Sequence, residues 1–80
     1  MEVNLDQIVF IVYTNWEGEL GIRKILPQKL IFGSNTWHKE EQWLLESLDL
    51  DKNAPRTFAL KDIHYWTTSK DKAEAFLKRL

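Results

Sequence analysis

The chain has 80 residues and balances eleven Lys and Arg against twelve Asp and Glu, for a formal net charge of −1. That length holds one small domain. The near-neutral balance excludes the overall positive field behind non-specific nucleic-acid binding, though it leaves room for a local basic patch. With no cysteine, disulfides, thiolate metal sites and cysteine nucleophiles are excluded.

Residues 1–6 read as a loose lead-in. Gln7 to Thr14 (QIVFIVYT) is β-branched and aromatic and too short for a buried helix, so it is expected to be a strand. Asn15-Trp16-Glu17-Gly18 supplies turn residues, with Gly18 able to take a positive φ. Glu19 to Leu26 then alternates: Leu20, Ile22 and Leu26 share one face, Gly21 and Arg23 the other. The two runs predict a β-hairpin. Pro27 cannot donate to a ladder and marks a strand end or an edge.

Lys29 to Phe32 is a third short strand, broken by Gly33-Ser34-Asn35. Thr36 to Gln42 is polar and reads as a loop. Residues 41–50 (EQWLLESLDL) fit two patterns. As a helix, Leu44, Leu45 and Leu48 would form one stripe; as a strand, Trp43 and Leu45 would share a face. Residues 51–55 form a turn. Arg56 to Leu60 is a short strand, and Ile63 to Thr67 a last extended piece.

The C-terminus carries Ala73, Phe76, Leu77 and Leu80 at i, i+3, i+4, i+7, one apolar stripe of a helix. Thr68 or Ser69 would cap it, and Lys78 and Arg79 sit in its last turn, where the helix dipole favours cations. At about twelve residues it is too short to stand alone. It is expected to pack on the strands or on a partner. Residues 69–80 carry +2 and the rest −3, which a solvated helix face accounts for.

The longest apolar run, Ile8 to Tyr13, is six residues, far short of the roughly 20 that span a bilayer. Glu2 and Asp6 stand where a signal peptide would be basic. A cytoplasmic protein with no membrane contact is the expectation. Net stability on the order of 5 kcal/mol is expected at this size.

His38 and His64 have no helical i, i+4 histidine partner, so no metal site is expected. There is no G-x-S-x-G, P-loop or GxGxxG motif, and Glu40-Glu41 lies beside Lys39 in a polar loop. Neither enzymatic activity nor a cofactor is expected. Trp16, Trp37 and Trp66 border turns or loops. They either cap the ends of a thin core or offer stacking faces for a base, with Arg23 or Arg56 supplying charge.

Taken together, these segments resemble the WYL domain. The resemblance rests on Tyr13 with Asn15 and Gly18, on Arg23-Lys24-Ile25-Leu26-Pro27, and on Leu30. It continues with Trp43-Leu44-Leu45 at the W-Y-L triplet and Arg56-Thr57-Phe58-Ala59-Leu60-Lys61-Asp62-Ile63 at the R-x-F-x-L-x-R-I ending, covering about residues 8–66. Leu44 replaces the family's tyrosine. Asp62 stands where the family usually has an arginine, and the loop before the triplet carries an additional Trp37-His38. No helix-turn-helix of the kind found with this domain in transcription regulators accompanies it.

The resemblance implies a mainly β fold with a C-terminal α-helix: a small five-stranded Sm-like or SH3-like barrel over residues 7–67, followed by the amphipathic helix over 68–80. It resolves 41–50 as a strand. It implies a regulatory domain recognising a negatively charged ligand, either single-stranded nucleic acid or a nucleotide. The ligand-binding residues would be Arg23, Arg56 and Tyr13, with Lys24, Trp37 and His38 beside them. The alternative is a protein-interaction module, as a homodimer or with a larger regulatory partner, using strand edges and exposed tryptophans.

Overall fold

A computed structural model describes residues 7–36 and 38–80. Its elements are β1 (Val9–Thr14), β2 (Leu20–Gly33), β3 (Gln42–Asp49), β4 (Ala54–Ala59), a single 3-10 turn (Leu60–Asp62), β5 (Ile63–Thr67) and α1 (Lys70–Lys78). All five strands form one antiparallel sheet in the order β4-β3-β2-β1-β5. The fold is mainly β with a C-terminal helix. No described helix is long and apolar enough to cross a membrane.

β2 corrects the expectation at Pro27. The two short strands on either side of it are one strand of fourteen residues, and Pro27 is buried in the middle of the sheet, opposite Ser47. A bulge between Pro27 and Lys29 makes this possible, because the missing N–H falls where the ladder is already interrupted. The extra residue, Gln28, also flips the side-chain phase. Arg23, Ile25 and Pro27 face inward before it, and Leu30, opposite Leu45, does so after it. The first half of β2 pairs with β1 and the second half with β3, so β2 is the hinge about which the sheet bends.

Residues 42–49 form a central strand, paired on both sides. Leu44 and Leu45 are adjacent and both almost fully buried, on opposite faces. Only a strand covered on both sides buries consecutive residues in this way.

The inner face holds Val9, Ile11, Tyr13, Ile25, Leu45 and Phe58, with Leu60, Ile63 and Trp66 packed against them. Tyr13 of β1 and Phe58 of β4 meet edge to face with ring centroids 5.1 Å apart. In a flat sheet these strands, three intervals apart, would lie about 14 Å from each other. The sheet is therefore strongly curled, and the curl puts its core on the concave side. It is not a closed ring: β4 and β5 are its two edges.

The outer face of β1, β2 and β5 carries α1. Ser69 is the N-cap, its Oγ accepting from the Lys72 N–H at 3.3 Å, as a serine just before the apolar stripe predicts. Ala73 is fully buried. The Phe76 ring stacks on Tyr65, with centroids 4.5 Å apart and planes 10° from parallel. The helix thus docks on this chain's own sheet. Leu80, the last residue of the predicted stripe, lies beyond the helix end and is exposed.

Candidate functional site

The β1–β2 turn is built by Asn15. Its Oδ1 accepts from the N–H groups of Glu17 and Glu19, both at 2.9 Å. Its own N–H donates to the Glu19 carbonyl, and its carbonyl accepts from Gly18. Gly18 has φ +81°, which a glycine adopts without strain. This bonded turn holds Trp16 out at 82% exposure.

Trp16 stands at the rim of a cavity of about 610 Å³, within the size range of small-molecule sites. The end of β1 supplies Tyr13 and Thr14, β4 supplies Arg56 to Ala59, and the 3-10 turn supplies Lys61 and Asp62. His38 reaches the cavity from the β2–β3 loop. That loop is closed on itself: the Asn35 Oδ1 accepts from the His38 N–H at 2.7 Å, and the Asn35 N–H donates to the His38 carbonyl.

Arg56 lines this cavity. Residues directly opposed in antiparallel strands share a face, and Arg56 is opposite the inward-facing Ser47. Its guanidinium lies 5.6 Å from the Phe58 ring centroid and 6.0 Å from that of Tyr13, within cation–π range. Among the described residues it has no carboxylate partner. The aromatic faces hold the planar fork in place and leave its N–H groups for an incoming anion.

Arg23 is on the same concave face, being opposite Ile11 in β1, but it is engaged differently. Its Nε lies 3.8 Å from Oδ2 of Asp49, which is 1% exposed. That is an ion pair too long to be a hydrogen bond, so both atoms, with the Ser47 Oγ, are buried without a hydrogen-bond partner. Arg23 does not line the Arg56 cavity.

Lys24 is opposite Phe10 on the helix-covered face. It lines a separate groove of about 350 Å³ with Phe10, Ile22 and residues of α1. Of the six residues expected to bind, Tyr13, Arg56 and His38 are brought together, and Arg23 and Lys24 are not. Trp37 and residues 1–6 lie outside the described residues. Trp66 is half-buried against the core, a packing role. Among the described residues no group of three or more His, Asp or Glu is placed to hold a metal ion.

Sequence reasoning left Lys61 out of the site and counted Asp62 only as a lost positive charge. Both stand near the end of the stretch Arg56 to Ile63. What the sequence did not carry is that the 3-10 turn brings them to the cavity that Trp16 also lines.

No protein-family model, curated protein or solved structure matches the chain. What defines it is its own architecture, a curled five-stranded sheet backed by a helix, with an aromatic and basic cavity at one end.

Proposed function

We propose that this chain is a non-enzymatic, WYL-like ligand-binding domain, an open form of the Sm-like or SH3-like barrel. It recognises a negatively charged ligand, a nucleotide or single-stranded nucleic acid, in the cavity around Arg56. The observation that carries this reading is the Arg56 guanidinium, laid over Tyr13 and Phe58 at the cavity wall. Lys61 adds a second cation and the exposed Trp16 a face on which a base can stack. The chain's net charge of −1 favours a short ligand over a long polyanion, which needs an extended positive surface.

Titration of labelled DNA and RNA oligomers and of a nucleotide panel, at low salt, tests this. The wild-type chain is expected to bind. Arg56→Ala is expected to weaken binding by about tenfold to a hundredfold, the worth of a charge-assisted hydrogen bond. Arg23→Ala costs less, because Asp49 already occupies that guanidinium. No detectable binding, or binding untouched by Arg56→Ala, sinks the reading.

A second reading draws on a different patch. Phe32 and Trp43, opposite each other in β2 and β3, are 58% and 52% exposed and pack edge to face at 5.3 Å. With the unpaired edges of β4 and β5 they suit an assembly or protein-interaction role. Light scattering after size exclusion decides: a dimer weakened by Trp43→Ala supports it, and a concentration-independent monomer removes self-assembly.

A further inference from the structure

Asp62 gives the Arg56 cavity a feature that a pure anion site would not have. It is half-buried in the 3-10 turn and lines the same cavity as Arg56, Lys61 and Trp16. Among the described residues its carboxylate has neither a salt-bridge nor a hydrogen-bond partner. A carboxylate in this position repels a bare phosphate. It becomes favourable only when the ligand brings a hydrogen-bond donor to it. The cavity thus sets two cations, one acceptor-only group and one exposed aromatic face around a volume suited to a single nucleotide.

Resting on the reading given above, we propose that the cavity selects nucleotides whose base carries an exocyclic amino group. The base stacks on Trp16, the phosphate meets Arg56 and Lys61, and the amino group donates to Asp62. Cytosine and adenine satisfy this arrangement, whereas uracil and hypoxanthine, with a carbonyl oxygen in the same place, set one acceptor against another. A site built around a hydrogen bond discriminates strongly against the analogue that lacks the donor, because the group left behind is unpaired.

The test is calorimetric titration of the full chain with two matched pairs, CMP against UMP and AMP against IMP. Oligo-dC against oligo-dU is run in parallel, to tell a free nucleotide from a base presented by a strand. The amino-bearing member of each pair is expected to bind at least about tenfold tighter. Asp62→Ala is expected to abolish that preference while holding or tightening the affinity for inorganic phosphate, which also shows that the variant is folded. Equal affinities within each pair overturn the proposal, as does a preference that survives Asp62→Ala. If Arg56→Ala abolishes all nucleotide binding while the wild type shows no preference, the anion-binding reading stands and this one falls. If the wild type binds none of the ligands, both fall.

Discussion

Phe58→Ala is expected to lower the melting temperature by about 15–30 °C and to abolish ligand binding. Phe58 is 3% exposed and belongs to the core cluster of the concave face. Truncating a buried phenylalanine costs about 3–5 kcal/mol in lost burial and residual cavity. In a domain of this length each kcal/mol moves the midpoint by about 4–8 °C. The total stability is of the same order as the loss, so the variant sits at the margin of folding. Phe58 also has a second role. It carries the contact between β4 and β1, and it is the nearer of the two rings beneath Arg56. Removing it releases the curl of the sheet and the orientation of the guanidinium together. Phe58→Leu separates the two effects. It restores most of the volume, so thermal denaturation should show a loss of under about 2 kcal/mol, while the cation–π support is gone and binding stays weakened. A Phe58→Leu variant that binds as wild type would show that the ring does not orient Arg56.

The elements read correctly from sequence are those whose signals are local. Asn15 and Gly18 fix a turn through their own side-chain and backbone chemistry, and Ser69 ahead of a 3.6-period stripe fixes a helix start. β1 and β5 follow from short β-branched and aromatic runs between breakers. The elements that local pattern leaves open or misplaces are those decided by distant partners. Leu44-Leu45 has helical composition, and only pairing to β2 on one side and β4 on the other makes it a strand. Pro27 is a strand breaker by every local rule, and the bulge that accommodates it depends on β3.

The same division runs through the site. Tyr13 and Arg56 are expected at a site only through the resemblance, and the structure brings both to one cavity. Lys24 is expected beside Arg23 because both stand in the Arg23-Lys24-Ile25-Leu26-Pro27 stretch of the resemblance. A strand sends neighbours to opposite faces, and the register puts Lys24, still exposed, on the face that carries the helix. The convergence of Trp16, Lys61 and Asp62 on one cavity depends on the curl, and no spacing along the chain encodes it. Asp49 was invisible for the same reason, since its partner Arg23 is on another strand.

Asp49→Ala is the second substitution expected to have a large effect, at about 2–3 kcal/mol, or roughly 10–20 °C in midpoint. Asp49 does two jobs from a fully buried position. Oδ1 accepts from the N–H groups of Asp51 and Lys52, at 3.1 and 3.2 Å, and so ties down the β3–β4 turn. Oδ2 faces Arg23. Arg23 is about one-third exposed and can turn to water when its partner goes, which holds the cost below that of a fully buried unpaired charge. Asp49→Asn keeps an acceptor for the turn and loses only the charge, so its cost should be about half as large. Ser47→Ala is the contrasting case. Its hydroxyl is buried with no partner, so removing it relieves a desolvated polar group at the price of one small void. Denaturant titration should show Ser47→Ala neutral or up to about 1 kcal/mol more stable. The order Ser47→Ala level with or above wild type, then Asp49→Asn, then Asp49→Ala, follows from the buried polar atoms, the ion pair and the turn hydrogen bonds together. An Asp49→Asn variant as unstable as Asp49→Ala would assign the whole effect to the Arg23 ion pair and none to the turn.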